Sequence, residues 1–294
     1  MPLTGRGARS TECWPLADAL GLEEVRRALA EDRALDDVTT RLLGAAADRP
    51  AAGSFVAEGR FVVAGLPIAA RAFEELDPRA CLEPLTGEGA WTEPGTSLAT
   101  VRGAARALLA GERTALNFLQ RLSGIATVTR RAVDAVAGTG ARITHTRKTT
   151  PGLRALERYA VRVGGGVENR GSLAEAVLWK DNHWALLDGS ATLAAALAAA
   201  PGDLPAMVEV ETVAQFEEVL AAGVLHILAD NQPPQRIAAW ARRAGPGVTI
   251  QASGGITPER ARAYAEAGAT LISIGALTHS ASAAPIRYEI GFGS

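Results

Sequence analysis

The chain has 294 residues, 30 Lys and Arg against 32 Asp and Glu, and a formal net charge of −2. Its 48% hydrophobic content supplies a large core and excludes a disordered chain, while the balanced charge argues against a nucleic-acid or acidic-membrane partner. At roughly 100–200 residues per domain, this length fits one large domain or two ordinary ones. The first ten residues are mostly polar and small, so no signal peptide is read. No apolar run approaches the roughly 18 residues of a membrane span, the alanine tract over 193–200 being too short. Cys13 and Cys81 have no metal-ligand spacing and imply neither a disulfide framework nor a zinc site. These features lead to the expectation of a soluble protein in a reducing, cytoplasmic environment.

In chain order, residues 15–31 read as a helix with Val25 and Leu29 on its apolar face. A mixed β region follows over 52–101, punctuated at Glu58-Gly59, Gly87 to Gly89 and Glu93-Pro94-Gly95. A long helical stretch then runs over 104–137, with a break expected near Ser123-Gly124. Beyond residue 140, strand signals at 142–146, 176–180, 207–211, 226–230, 248–252 and 271–274 alternate with helical patterns. These patterns fall at 153–163, 191–200, 213–222, 234–243 and 258–267. Glycines 223, 245, 247 and 268 follow helices, and prolines 151, 234 and 258 fall near helix starts. Repeated strand–helix units imply a parallel sheet with right-handed crossovers, as a barrel or a doubly wound sheet. An α+β domain is expected before it, with no low-complexity linker between the two.

Charge is balanced overall but not locally. Residues 141–170 hold seven basic residues and two acids, Glu157 and Glu168, whereas 204–231 hold five acids and no Lys or Arg. Solvated helix faces would explain such segments were it not for their position. Arg147 and Lys148 follow the first strand, Lys180 ends the second, Glu209 lies in the third and Asp230 ends the fourth. Ser253-Gly254-Gly255 follows the fifth and Gly275 the sixth. In parallel α/β barrels the carboxyl ends of the strands form the active face. Arg with Lys suits carboxylate or phosphate, and two separated acids suit either a hydrated Mg2+ shared with phosphates or ribose hydroxyls. Glycine turns before helices suit a phosphate. His226 reads as a core or interface residue, and His183 as a brace for its own loop. His279 reads as a phosphate ligand or a helix start, and His145 has no assignment. No Ser/His/Asp or Cys/His set is present, which disfavours covalent catalysis.

Several runs, in order, resemble the quinolinate phosphoribosyltransferase family. They are Glu112-Arg113-Thr114 with its continuation to Thr127, Thr146-Arg147-Lys148-Thr149-Thr150-Pro151-Gly152, Lys180-Asp181-Asn182-His183, Ser253-Gly254-Gly255 and Gly275-Ala276-Leu277-Thr278-His279. Weaker likeness at Glu31-Asp32 and Asp37-Val38-Thr39-Thr40 extends the resemblance over roughly residues 15–290. It implies an N-terminal α+β sandwich (1–125) and a C-terminal incomplete α/β barrel (126–294), the type II phosphoribosyltransferase arrangement, with the last residues packing back on the first domain. It further implies a homodimer, or a higher oligomer built from it, in which Arg113 enters the partner's site. Arg147, Lys148, Asn169, Arg170 and Lys180 would bind the two quinolinate carboxylates. Glu209 and Asp230, 21 residues apart as in the family, would face ribose and Mg2+-pyrophosphate and carry the metal directly or through water. Ser253, Gly254, Gly255, Gly275 and His279 would hold the 5-phosphate. The implied activity is Mg2+-dependent transfer from phosphoribosyl pyrophosphate to quinolinate with decarboxylation, a step of NAD biosynthesis.

Departures from the family pattern are specific. After Gly164-Gly165-Gly166-Val167 the family usually reads Asn-His-Arg, and this chain reads Glu168-Asn169-Arg170. Trp179 replaces the usual isoleucine before Lys180, and Met207 a frequent glutamate. Two alternatives follow: a paralogous transferase for another carboxylated heteroaromatic, and a non-catalytic ligand-binding homologue.

Overall fold

The computed structural model describes residues 19–186, 192–202 and 204–291. Cys13, the first residues of the expected 15–31 helix and residue 191 lie outside the described residues. The strands, in chain order, are β1 (Pro50–Ala57), β2 (Phe61–Val62), β3 (Cys81–Pro84), β4 (Trp91–Thr92), β5 (Ser97–Ala104), β6 (Arg142–Thr144), β7 (Val177–Trp179), β8 (Ala206–Val210), β9 (His226–Asp230), β10 (Thr249–Ser253), β11 (Leu271–Ser273) and β12 (Ile286–Gly291). The chain divides into two compact units: one runs up to Gln120 and resumes at Pro285, and the other is Arg121–Ala284.

The first unit begins with α1 (Leu22–Glu31), shorter than the periodicity suggests. Gly21 sits at φ 80, a left-handed conformation that no α-helix continues through, and the helix begins at Leu22. After α2 (Val38–Arg41) comes an antiparallel sheet of order β12-β1-β5-β3. Helix α3 (Leu66–Glu74) contributes Ile68, Ala69, Ala72 and Phe73 to the core. Phe55 of β1 packs against both Phe73 and Tyr288 of β12, with ring centroids 6.1 and 4.9 Å apart. The expected break near Ser123-Gly124 is absent: α4 runs unbroken from Ala105 to Ala135. Gly124 serves close packing there, because a Cβ at that position would lie 2.0 Å from the carbonyl oxygen of Ser282.

The second unit is a six-stranded, wholly parallel sheet of order β6-β11-β10-β9-β8-β7. Helices α5 (Arg154–Val163), α6 (Asp181–Ala185), α7 (Leu193–Ala198), α8 (Val213–Ala221), α9 (Pro234–Ala244), α10 (Pro258–Glu266) and α11 (Ala276–His279) alternate with these strands. Apolar β-branched centres such as Ile143, Val208, Ile227, Ile250 and Ile272 are buried, as expected for strands covered on both faces. Among the described residues no pairing joins edge strands β6 and β7, so the barrel is incomplete; a single bridge from Thr144 to Val167 extends the β6 edge.

Candidate active site

Strand register decides which side chains meet. Asp230 pairs with Ser253, and Glu209 with Leu228 two residues before Asp230. Side chains alternate along a strand, so Glu209, Asp230 and Ser253 face the same way at the carboxyl ends of adjacent strands. Lys180 follows β7 and donates from Nζ to Glu209 Oε2 at 2.8 Å. Glu209 is 93% buried in consequence of its place within β8 (relative exposure 7%). That burial pushes its carboxyl above the usual range. Lys180 opposes the rise, and the charges of Asp230 and Asp181 add to it.

The loops hold these groups in place. Lys180 caps α6: its N–H donates to His183 Nδ1 at 2.9 Å and its carbonyl accepts from the His183 N–H at 2.8 Å, so His183 braces its own loop. The Trp184 indole N–H donates to the Glu209 carbonyl at 3.0 Å. Asn231, at φ 50, donates its side-chain N–H to Asp230 Oδ2 at 2.6 Å and its backbone N–H to the Ser253 carbonyl at 3.0 Å. Gly254, at φ +91, lies so close that a Cβ there would meet Asn231 Oδ1 at 2.2 Å. On the far side of the sheet's mouth, a Cβ on Gly275 would lie 3.1 Å from His279 Nε2 and 3.3 Å from Lys148 Cδ, so these three residues converge.

The cationic side is uncompensated in part. Arg147 Nε is buried and has no hydrogen-bond partner. Arg170 donates to the Ala176 carbonyl at 3.2 Å, and burial together with the Arg147 charge holds its guanidinium below the usual range, against the pull of Glu209. Two arginines thus stand close enough to repel, beside a half-exposed lysine and two carboxylates.

Sequence-family models supply the next observation. The C-terminal domain of quinolinate phosphoribosyl transferase matches residues 125–288, and the N-terminal domain of the same enzyme matches residues 37–123. The chain belongs to the quinolinate phosphoribosyltransferase family. A nicotinate-nucleotide pyrophosphorylase [carboxylating] of Mycobacterium leprae is 42% identical over 265 residues, covering 88% of this chain and 93% of that protein. A probable enzyme of that name from Bacillus subtilis is 37% identical over 261 residues, covering 88% and 90%. The crystal structure of NadC from Streptococcus pyogenes superposes with a TM-score of 0.86 at 33% identity, covering 92% of this chain and 96% of that one.

Not every expected residue joins the cluster. Arg113 lies in the first unit, exposed on α4. It lines a groove of about 450 Å3 with Asp32, Asp36, Asp37, Val38 and Arg41. Asn169 turns its amide to backbone, donating to the His145 carbonyl at 3.2 Å and accepting from the Arg170 N–H at 2.8 Å. Glu168 is drawn away by Arg158 (2.7 Å), Arg162 and the buried His145 (3.0 Å). Hydrogen bonds from these three groups outweigh burial and hold its carboxyl at about 2. Sequence reasoning passed over Arg121 and Glu157, which bond each other at 2.8 Å beneath the Arg147–Thr150 loop. One signal was available: Glu157 falls on the apolar stripe of α5 between Leu156 and Ala160, where a charge has no reason to sit unless paired.

Proposed function

We propose that the chain transfers the phosphoribosyl group of phosphoribosyl pyrophosphate to quinolinate, giving nicotinate mononucleotide, carbon dioxide and pyrophosphate. The observation that carries this reading is the Arg147–Arg170 pair, two repelling guanidinium groups with a buried N–H left unpartnered, which a dicarboxylate would satisfy. Lys148 and Lys180 complete the carboxylate clamp, and the Ser253–Gly255 and Gly275 turns, with His279, take the 5-phosphate. The clamp aims the ring nitrogen at the ribose C1, so positioning lowers the barrier. As the C1–pyrophosphate bond breaks, Glu209 and Asp230 stabilise the positive charge developing on the ribose. The new pyridinium withdraws electrons, the adjacent carboxylate leaves as carbon dioxide, and the ring carbon takes up a proton.

Two carboxylates, with no third His, Cys, Asp or Glu converging on them among the described residues, do not enclose a metal. They fit a Mg2+ that keeps waters and shares phosphate oxygens, and its field would relieve the repulsion that Asp230 exerts on Glu209. Bound there, Mg2+ supplies charge neutralisation at the pyrophosphate. The compensated charge of Glu168 supports quinolinate over a different acid, since the extra carboxylate is already taken by Arg158 and Arg162. A homodimer with shared sites is part of the reading. Leu35, Val38 and Leu42 are 83, 72 and 88% exposed, and Val38 lines the groove that holds Arg113, so apolar surface is available there for a second copy to cover. Among the described residues no helix is long and apolar enough to cross a membrane.

Incubation with phosphoribosyl pyrophosphate, Mg2+ and quinolinate tests this directly. Nicotinate mononucleotide, carbon dioxide and pyrophosphate should form in equal amounts, and chelation of the metal should stop the reaction. Pyrophosphate released only with another heteroaromatic acid would replace the acceptor; none released with any acid would favour a binding protein.

A further inference from the structure

Glu157 is fully buried, yet buried ion pairs are poor contributors to stability, and a well-packed apolar pair of similar volume is often as stable. Its contacts point to another role. Glu157 accepts from the Thr150 N–H at 3.1 Å and from the Thr150 hydroxyl at 2.8 Å. Its partner Arg121, on α4, donates to the carbonyl of Ala281 at 2.9 Å and to that of Thr278. Thr278 in turn donates its hydroxyl to the Lys148 carbonyl at 2.8 Å. One ion pair therefore pegs both the loop after β6, which carries Arg147 and Lys148, and the segment around α11, which carries Gly275 and His279. Arg is suited to this because its planar fork serves several fixed acceptors at once, which a lysine cannot.

We infer that Arg121 and Glu157 are positioning residues that set the separation between the dicarboxylate clamp and the 5-phosphate cradle. The inference rests on the reading of those two subsites given above. Neither side chain touches substrate; together they fix where the ring nitrogen lies relative to C1. Each ligand alone tolerates small movements of its own loop, but the reaction needs both at one distance, and an error of about 1 Å costs on the order of 100-fold in rate.

The test uses full-length wild type, Arg121→Lys, Glu157→Gln and Thr278→Val. Calorimetric titration with phthalate and with ribose 5-phosphate reads each subsite separately, steady-state kinetics reads kcat and KM, and melting curves report folding. Arg121→Lys and Glu157→Gln should bind each probe within about threefold of wild type while kcat falls about 100-fold, at a temperature well below melting. Thr278→Val leaves the ion pair intact and removes the hydroxyl's bonds to the Lys148 and Gly275 carbonyls, the direct tie between the two loops, so it should lose about tenfold in kcat even if the other two variants fail to fold. A wild-type kcat in Thr278→Val, or in either folded ion-pair variant, overturns the inference, as does a loss confined to probe binding. Wild type that binds neither probe would instead defeat the assignment of the subsites.

Discussion

Substituting Gly254 by alanine separates a steric demand from a conformational one. The residue sits at φ +91, where an L side chain costs about 1–2 kcal/mol. Its Cβ would also lie 2.2 Å from Asn231 Oδ1 and 2.7 Å from the Asn231 backbone nitrogen. To restore ordinary contact at 3.4 Å, Asn231 must retreat by roughly 1.2 Å, a displacement of the size that costs about 100-fold in rate when it reaches reacting groups. Asn231 cannot retreat alone: its backbone N–H is bonded to Ser253 and its side chain to Asp230. Asp230 therefore moves with it. Gly254→Ala should lower kcat/KM about 100-fold while lowering Tm by only about 2–8 °C, the equivalent of 1–2 kcal/mol in a protein this size. Gly255→Ala is the comparison: φ is +58, but nothing lies within 4 Å of its Cβ, so it carries strain without the push on Asn231. Its rate loss should be at least tenfold smaller. Steady-state kinetics and melting curves on both variants decide the matter. Near-normal turnover in folded Gly254→Ala, or equal losses in the two variants, would refute the steric argument.

Three further outcomes are expected. Glu168, held at about 2 by its His145, Arg158 and Arg162 partners, contributes stability that is present above its unfolded value near 4.5 and is lost as pH falls through about 2. With its side chain 40% exposed, solvent screening reduces this to about 1 kcal/mol, so Glu168→Gln should lower the urea midpoint at pH 7 and match wild type near pH 2; a pH-independent gap refutes the attribution. The Tyr288 hydroxyl is buried without a partner, and burial pushes its phenol well above the usual tyrosine range. Tyr288→Phe should therefore raise stability by about 1 kcal/mol in thermal unfolding, and a loss of that size would reveal an unrecognised acceptor. Arg113→Ala and Lys148→Ala should each be inactive alone, and mixing them should restore part of the activity if sites are completed across the dimer; no recovery after subunit exchange would count against shared sites.

The alternation of strand and helix was legible because fully covered parallel strands read as short apolar runs, and helix ends carry glycine and proline. His226–Asp230 was placed to the residue, and the other five parallel strands differ only at their ends. Local composition also located Lys180 and Glu209, whose contact follows from neighbouring strand ends. What failed was anything decided by distant packing. Ser123-Gly124 looked like a helix break because glycine's second use, admitting the Ser282 carbonyl, depends on a segment more than 150 residues away. The direction of Glu168 was equally hidden. It stands within the basic stretch of the sequence, but Arg158, Arg162 and His145 compete for it from the other side. Asn169 illustrates the same point: its substitution for a histidine is visible, but its choice of the His145 carbonyl as acceptor is not.

The position of β12 bears on how the protein is made. Strand β1 pairs on one side with β5 and on the other with β12, and β12 follows the whole of the second unit in the chain. During synthesis the first unit's sheet must therefore wait, with one edge of β1 bare and Phe55 uncovered by Tyr288, until the whole second unit has left the ribosome. A bare sheet edge recruits other strands, so the interval is one of aggregation risk for the nascent chain. Truncating the last dozen residues makes that interval permanent, injuring the end of the molecule where the chain began.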